Sequence, residues 1–371
     1  MLKATPLKTI HVQLGATLVP FAGWEMPLRY RSELAEHQAV RTRVALFDLS
    51  HMGEFLVRGP QAKAFLQKML SNDAAKLPPG RAQYTFLLNP DGGILDDLIL
   101  YCLEEELYLL VVNAATTAKD RAWLEAHLPA SGVTLEDISE DTVLLALSGP
   151  ESTAILERLT PTPIADMPYY AVRKAEVAGI PQVLIATTGY TGEWTYELFV
   201  RAKYGAALWE AFQAQGVPPA GLAARNTLRL EMGYLLYGTD IDESTTPLEA
   251  GVEWAVKLHK EEFIGKAALL RQKAHSLPRR LVGLRSESAR ALPRNGMPLL
   301  NSEGQPIGRI TSGSISPVLQ CGIALGYVPA EVRLGDTVYF ELRGQRWPLT
   351  VVKPPFVSST SLQQRLQARA K

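Results

Sequence analysis

The most informative apolar pattern lies between Gly92 and Tyr101. An Asn-Pro-Asp-Gly-Gly run at 89–93 leads into it, and such a run is typical of the turn of a β-hairpin. The strand after the turn is apolar at both odd and even positions, which indicates burial on both faces of a sheet. Two adjacent carboxylates, Asp96 and Asp97, interrupt it. Because an unpaired buried charge is costly, each must find a hydrogen-bond donor or take up a proton.

Other periodic segments predict helices and strands in mixed order, the pattern of an α+β protein. Ser32 is placed to cap the first long helix, with Glu33 and Glu36 in its first turns. The predicted helices cover 32–44, 60–70, 117–127, 205–213 and 222–235, and the predicted strands cover 54–57, 84–88, 107–113, 143–147, 171–177, 182–187 and 194–200. Residues 12–30 are rich in aromatic side chains but show no period, so we expect an irregular segment there.

The character of the chain changes near Arg279. Short strands there alternate with clusters of turn-forming residues, and apolar side chains at Val338, Phe340 and Leu342 alternate with Tyr and Glu. This spacing predicts a small all-β barrel or sandwich. The segment 274–278 is the predicted boundary before it.

Composition and charge exclude several classes of partner. The chain has 371 residues, enough for two or three domains, and a formal net charge of +0, which offers no electrostatic footprint for nucleic acid or an anionic membrane. No apolar run is long enough to span a membrane, and the start of the chain lacks the apolar core of a secretion signal. Cys102 and Cys321 form no CxxC motif. The six histidines show no metal-ligand spacing, so we expect no bound metal. Taken with the charge and the apolar runs, this predicts a soluble, cytoplasmic protein.

Three features predict chemistry, and each has a plainer alternative. A carboxylate of Asp96 or Asp97 beside a cavity suits an acid, a base or a ligand anchor, whereas tying down the turn is the commoner role. Arg225 and Arg229 lie four residues apart on one helix face, and an acidic ligand or a carboxylate such as Glu231 or Glu197 relieves their repulsion. Local ion pairs on a solvated helix face are the alternative. Aromatic rings near the turns suit a flat ligand or simply a core, and they are Trp24, Tyr84, Tyr190 and Tyr237.

Longer strings of residues run in a fixed order along nearly the whole chain. They are TPL at Thr5, FAGWEMPL at Phe21, AVRT at Ala39, FDLSHMGEF at Phe47, GGILDDL at Gly92, VVNAA at Val111, TGYTGE at Thr188, LRLE at Leu228, LYGTDIDE at Leu236 and TSGSISP at Thr311. In order and spacing these strings closely resemble the T-protein of the glycine cleavage system, an aminomethyltransferase that uses tetrahydrofolate. The resemblance favours the functional interpretation of the two aspartates.

The resemblance implies three domains around a central folate-binding channel, the last a β-barrel or jelly-roll-like domain. The implied domains are 1–50 with 140–245, 51–139 with 246–275, and 279–371. The implied activity transfers the one-carbon unit of an aminomethyl group from the lipoyl-bearing H-protein to tetrahydrofolate, the co-substrate. Its products are 5,10-methylenetetrahydrofolate, ammonia and the dihydrolipoyl carrier.

The family positions that match this sequence imply roles for individual residues. Asp97, the second aspartate of the DDL motif, is implied to be catalytic and to help proton transfer at the reacting folate nitrogens. Glu197 is implied to hold the N–H groups of the pterin ring, and Arg225 to bind the folate, including its glutamate tail. The implied pocket lining is Tyr84, Tyr190, Tyr237 and Met52. Asn226 is a departure, because the family commonly has Asp there and an ion pair is weakened by the change.

Two related groups are alternatives. The folate-dependent parts of dimethylglycine and sarcosine dehydrogenases follow a flavin domain, and this sequence shows no dinucleotide-binding fingerprint. A non-catalytic folate-binding protein of iron–sulfur cluster maintenance carries a KGCYxGQE-type motif, but the corresponding segment, Glu262 to Lys266, has no cysteine. Both observations favour the aminomethyltransferase.

Overall fold

The computed structural model describes residues 2–370 and contains both helices and sheets, as the mixed periodicity predicts. The helices are α1 (Lys8–Gln13), α2 (Glu33–Thr42), α3 (Ala62–Met69), α4 (Thr117–Ala126), α5 (Ser152–Glu157), α6 (Gly205–Ala214), α7 (Leu222–Glu231), α8 (Lys266–Lys273) and α9 (Ser361–Ala370). None of these helices is both long enough and apolar enough to cross a bilayer. The predicted cap is confirmed, because the Ser32 hydroxyl accepts the backbone N–H of Ala35 at the start of α2.

A small sheet near the N-terminus corrects the expectation of irregular structure over 12–30. Its strands are β1 (Lys3–Ala4), β2 (Thr17–Phe21) and β3 (Trp24–Arg29), in the order β1-β3-β2. The two longer strands form a hairpin whose turn is Ala22-Gly23, with φ of 49° and 82°. A two-residue turn with positive φ at both positions suits the twist of a hairpin. Pro20 and Pro27 within the strands hide the period-2 pattern.

Two five-stranded antiparallel sheets form the body of the chain before residue 202. Their strands are β4 (Ala45–Asp48), β5 (Gly53–Arg58), β6 (Arg81–Leu88), β7 (Ile94–Glu104), β8 (Leu107–Val112), β9 (Thr134–Asp137), β10 (Thr142–Ser148), β11 (Val172–Val177), β12 (Ile180–Ala186) and β13 (Thr195–Arg201). One sheet has the order β11-β12-β13-β10-β4, and the other has the order β6-β7-β8-β5-β9. An apolar cluster joins their facing sides, with Phe47 and Phe199 from the first sheet and Tyr101 and Val111 from the second. Helix α7 adds Leu228 to this cluster.

The β6–β7 hairpin confirms the turn predicted at 89–93. Gly92 has a φ of +84°, and the backbone oxygen of Glu243 occupies the place that a side chain at Gly93 would need. Both positions therefore require glycine. In the register of the hairpin Asp97 lies opposite Phe86 and Asp96 opposite Leu87, so the two carboxylates point to opposite faces of the sheet.

The C-terminal part is a closed six-stranded barrel, which confirms the all-β prediction after Arg279. Its strands are β14 (Arg279–Arg285), β15 (Pro298–Leu300), β16 (Pro306–Ser316), β17 (Cys321–Pro329), β18 (Thr337–Leu342) and β19 (Gln345–Val352), in the order β14-β17-β16-β15-β18-β19. The division into three domains with the bounds given above stays a prediction.

Helix α7 ends at Glu231, four residues earlier than its predicted end at Leu235. Gly233 follows with a φ of +69°, and its N–H bonds the carbonyl of Leu230. A left-handed glycine just after the last turn is a common helix stop. The chain therefore leaves the helix early, and residues 234–240 fold back as a loop against its last turn.

Buried ion pairs fix the C-terminal half of α7 on two sides. The guanidinium of Arg229 donates to Asp240 at 2.7 Å and to Ser312 of β16 at 2.8 Å. The carboxylate of Glu231 accepts hydrogen bonds from Arg41 of α2 at 2.8 Å and from Ser316 of β16 at 2.6 Å. Because both side chains are almost wholly buried, removing a partner leaves an uncompensated charge.

The departure at position 226 yields a stability prediction. The exposed side chain of Asn226 accepts hydrogen bonds from Arg229 Nε at 3.0 Å and Nη2 at 2.9 Å. We expect Asn226→Asp to raise the free energy of unfolding by about 1 kcal/mol in urea denaturation at pH 7, because both bonds become charge-assisted. Asn295→Asp makes the same charge change in an exposed turn, at a side chain that forms no hydrogen bond within residues 2–370, and is the control. An equal gain in both variants would show that net charge, not the contact with Arg229, is responsible.

Candidate active site

Asp97 lies near the start of β7, with its carboxyl group half-buried and held by two donors. The hydroxyl of Tyr84 donates to Asp97 Oδ2 at 2.8 Å, and Asn113 Nδ2 donates to Oδ1 at 2.9 Å. The adjacent strands supply both groups, since Tyr84 is in β6 and Asn113 directly follows β8. The sheet therefore fixes the orientation of the carboxyl group from both sides.

The pKa of Asp97 is raised to about 7. Burial is the largest cause, and the charge of neighbouring Asp96 adds to it, while the hydrogen bonds from Tyr84 and Asn113 oppose the rise. Both protonation states are therefore populated near neutral pH. A general acid or base needs this property, and an ordinary structural aspartate lacks it.

Glu197 lies in β13, on the sheet opposite Asp97, and its pKa is raised by burial. The hydroxyl of Tyr101 in β7 donates to Glu197 Oε2 at 3.2 Å, and the hydroxyl of Thr188 donates to the same oxygen. Since both donors reach Oε2 and no donor in residues 2–370 reaches Oε1, the carboxylate keeps an oxygen for a ligand N–H group.

Arg225 stacks on the ring of Tyr190, with its guanidinium carbon 4.4 Å from the ring centroid. Among the described residues no hydrogen bond or ion pair holds this guanidinium, although the charges of Glu197 and Asp97 act on it. Burial lowers the pKa of Arg225. The alternative of local ion pairs on a solvated helix face fits neither arginine, because Arg229 forms a buried ion pair with Asp240 and Arg225 is placed for an acidic ligand.

The remaining predicted residues are not all at one place. Tyr237 donates to the carbonyl of Ile94 at 3.2 Å and accepts from Lys119 of α4 at 2.8 Å, which sets it beside the first residues of β7. Met52 lies partly buried among the apolar side chains between the two five-stranded sheets. Trp24 lies apart from the site, in the N-terminal sheet beneath the ammonium group of Lys3.

The structure adds polar and aromatic residues that sequence reasoning did not assign to the site. Asn113 touches both aspartates, and its place directly after an apolar strand is the signal that marks it. Thr188 holds Glu197, and its place in the TGYTGE loop is a second such signal. Trp254 stacks on Tyr84 with ring centroids 5.6 Å apart, although 56% of the tryptophan stays exposed. Only tertiary contact shows this pair.

No group of three or more His, Cys, Asp or Glu side chains in residues 2–370 is arranged to hold a metal ion. An open surface recess of about 330 Å³ lies elsewhere, at Asn72, Lys76 and Lys257.

The candidate site is therefore identified by its side chains: a carboxyl that titrates near pH 7, a second carboxylate, an unpaired guanidinium and several aromatic rings. This set suits proton transfer on a flat, nitrogen-rich ligand that carries a negative charge.

Family comparisons agree with this fold and site. Residues 7–260 match the family model described as the GCVT N-terminal domain, and residues 279–358 match the glycine cleavage T-protein C-terminal barrel domain. The chain therefore belongs to the glycine cleavage T-protein family.

Individual relatives match over almost their whole length. A protein of Geobacillus kaustophilus is 47% identical and one of Phocaeicola vulgatus is 45% identical, each over 96% of this chain and 99% of the relative, and both are named aminomethyltransferase. The crystal structure of the glycine cleavage system aminomethyltransferase T from Bartonella henselae superposes with a TM-score of 0.91 at 38% identity. It covers 97% of this chain and 99% of that one. The T-protein-like fold expected from the sequence is thereby confirmed.

The hydrogen bond from Tyr84 yields a prediction for Asp97. Because this bond stabilises the charged carboxylate, Tyr84→Phe is expected to raise the pKa of Asp97 by about one unit. An NMR titration of labelled aspartate carboxyl carbons measures the shift. Tyr190→Phe is the control, since the Tyr190 hydroxyl donates to the carbonyl of Leu235 instead. An unchanged pKa in Tyr84→Phe would show that the hydrogen bond from Tyr84 does not influence the titration of Asp97.

Proposed function

We propose that Asp97 and the side chains around it form the active site for aminomethyl transfer. The chain is an aminomethyltransferase of the glycine cleavage system, and its family uses tetrahydrofolate as a substrate. The observation that supports this location best is the half-buried carboxyl of Asp97, held by Tyr84 and Asn113, with a pKa of about 7. Such a group takes up and releases a proton near neutral pH.

Tetrahydrofolate fits the groups that the site leaves open. The ring N–H groups of a pterin suit the free oxygen of Glu197, and the carboxylates of the glutamate tail suit the unpaired guanidinium of Arg225. Aromatic faces beside these groups suit the flat rings of the ligand. We propose that the folate-binding residues are Glu197, Arg225, Tyr84, Tyr190, Tyr237 and Met52.

The reaction passes the one-carbon unit of the aminomethyl group from the lipoyl sulfur to the two folate nitrogens, releasing ammonia and the dihydrolipoyl carrier. Asp97 is the proposed catalytic residue, accepting a proton from a reacting nitrogen at its Oδ atoms and returning it to a leaving group. Tyr84 and Asn113 hold the carboxyl in one orientation, so little reorganisation is needed during the reaction. Trp254 and Tyr84 help to exclude water from the site.

The family implies partnership with the H-protein, and we propose its lipoyl-bearing form as the aminomethyl donor. The balanced charge of the chain favours neither nucleic acid nor an anionic membrane as a further partner. We propose that the protein acts in the cytoplasm, where the small-molecule substrate and the carrier are both available. A non-catalytic folate-binding role is not favoured, since the curated relatives are named as transferases.

Asp97→Asn tests the proposal directly. With aminomethyl-loaded lipoyl carrier and tetrahydrofolate, we expect the turnover number to fall by about 10³-fold or more, because the amide cannot take up a proton. The dissociation constant for tetrahydrofolate is expected to stay within about threefold, since the amide keeps the shape of the site. Methylenetetrahydrofolate formation and equilibrium folate binding are the two measurements.

Asp91→Asn is the matched control, because it makes the same change at an exposed position in the turn that leads into β7. Its turnover is expected to equal that of the wild type. If the wild type binds folate but forms no methylenetetrahydrofolate, the catalytic proposal fails and the non-catalytic role becomes the better explanation. Full turnover in Asp97→Asn would place the chemistry at another residue.

Arg225 carries a separate prediction about folate binding. Arg225→Gln is expected to raise the KM for tetrahydrofolate about tenfold and to leave the KM for the carrier unchanged, because only the folate loses a charge-assisted contact. Arg225→Lys keeps the charge but not the planar fork, so an intermediate KM is expected. A carrier KM that rises in parallel would assign Arg225 to carrier docking instead.

A further inference from the structure

Asp120 is a buried acid that the reaction described above does not use. It lies in α4, and its side chain has 0% exposure. Neither of its carboxyl oxygens accepts a hydrogen bond from an N–H donor in residues 2–370, and the hydroxyl of Thr116 is the O–H group beside them. The carboxyl group instead shares a hydrogen bond with the carboxyl group of Asp96, which is also fully buried. Helix α4 and strand β7 thus bring two carboxyl groups together away from water.

Two carboxyl groups share a hydrogen bond only when a proton lies between them, so the pair holds at least one proton. Burial first, and then the charge of Asp96, raise the pKa of Asp120 to about 10. Burial also raises the pKa of Asp96. When the pair holds one proton, the proton lies on Asp120 and the charge on Asp96, because the Asp96 oxygens accept the backbone N–H of Asn113 at 3.0 Å and the side-chain amide of Asn113 at 2.9 Å, whereas Asp120 accepts no N–H donor in residues 2–370.

Asn113 connects this pair with the catalytic carboxyl. Its side-chain nitrogen donates to Asp96 Oδ1 at 2.9 Å, to Asp97 Oδ1 at 2.9 Å and to the backbone oxygen of Asp97 at 3.0 Å. One amide group therefore spans the sheet edge from the buried pair on one face to Asp97 on the other. A displacement of Asp96 is expected to displace the amide, and with it the hydrogen bond that orients Asp97.

We propose that Asp96 and Asp120 form a proton-sharing carboxyl pair that positions Asp97 through Asn113 and keeps a single negative charge behind it. The pair acts as a positioning unit, and it touches no reacting atom. This inference rests on the proposed function, since it names the residues that prepare Asp97 for proton transfer. The other charged or titratable groups that face Asp96, Asp97 or Asp120 are Tyr84, Tyr170, Tyr190, Arg225, Lys119 and Tyr237.

The reaction explains why one fixed charge is useful. Each turnover removes one hydrogen from each of two folate nitrogens and adds one to the lipoyl sulfur and one to the departing amine, so protons are taken up and returned in equal number. Without a negative neighbour, Asp97 would be a more acidic group that returns a proton poorly. With two negative neighbours, Asp97 would stay protonated and could not accept a proton from a folate nitrogen. A pair that holds one proton lies between these limits.

The pH dependence of turnover number separates charge from structure. Asp97 acts as a carboxylate, so the rate rises with pH through its pKa. Asp96→Asn removes the charge behind Asp97. The rise of the turnover number with pH, its acid limb, is therefore expected to move to a pH about one unit lower. Asp120→Asn replaces the acid with a neutral donor and leaves the charge on Asp96. Its acid limb is expected to lie at the same pH as that of the wild type, and its turnover number to stay within about threefold of the wild-type value.

Asp120→Leu removes the hydrogen bond and serves as the damaging variant for comparison. We expect its turnover number to fall about tenfold while the KM for tetrahydrofolate stays within about twofold, because Asp97 loses its orientation but the folate contacts remain. Rescue by Asp120→Asn then shows that a donor to Asp96 is what the position requires. Glu54→Gln is the control, since Glu54 is another buried acid, finds no hydrogen-bond partner for its carboxyl oxygens within residues 2–370 and lies outside this set.

Infrared spectroscopy tests the pair without any turnover, which separates this proposal from the proposed function. At neutral pH the wild type is expected to show the carbonyl stretch of protonated carboxyl groups, part of which is lost in Asp120→Asn and another part in Glu54→Gln. An unchanged band in Asp120→Asn would overturn the shared proton. An unmoved acid limb in Asp96→Asn, or an equal downward shift in Asp120→Asn, would overturn the single fixed charge. A wild type without turnover would refute the proposed function and leave the infrared result to decide the pair.

Discussion

Buried ion pairs along helix α7 are the constraint on which the candidate site depends. Arg229 and Glu231 are two residues apart, so they leave the helix in different directions, one toward Asp240 and the other toward Arg41 of α2. Both directions also reach β16, through Ser312 and Ser316. Because a buried charge that loses its partner is strongly destabilising, α7 cannot rotate or slide without large cost. The barrel and helix α2 are thereby held to the same helix.

This rigidity explains why Arg225 and Arg229, four residues apart on the same helix face, have different partners. Arg225 lies one turn before Arg229, on the part of α7 that faces Glu197 and Tyr190. The loop that supplies Asp240 returns to the last turn of the helix, so it satisfies Arg229, while Arg225 has no ion pair in the described part of the chain. A partly buried cation next to two carboxyl groups with raised pKa values favours a ligand that brings both N–H groups and negative charge.

Local sequence patterns predicted the parts of the fold that local interactions decide. The Pro-Asp-Gly-Gly turn, the Ser32 cap and the alternating barrel strands are examples, and the candidate residues Asp97, Tyr84, Glu197, Arg225 and Tyr190 do surround one region. What failed depends on distant partners or on a single backbone angle. Gly233 ends α7 early, two prolines conceal the N-terminal hairpin, and Trp254 meets Tyr84 from 170 residues away in the sequence. No periodicity carries that information.

The adjacent aspartates illustrate how a strand converts sequence neighbours into separate functions. Successive side chains of a strand point to opposite faces, so Asp96 faces Asp120 behind the sheet while Asp97 faces the site in front of it. Asn113, directly after the next strand, has a side-chain amide that donates to both carboxyl groups. Two carboxylates separated by one residue would share a face and repel at short range. Adjacency instead keeps the charge of Asp96 close enough to raise the pKa of Asp97 while the two carboxyl groups lie on opposite faces of the sheet.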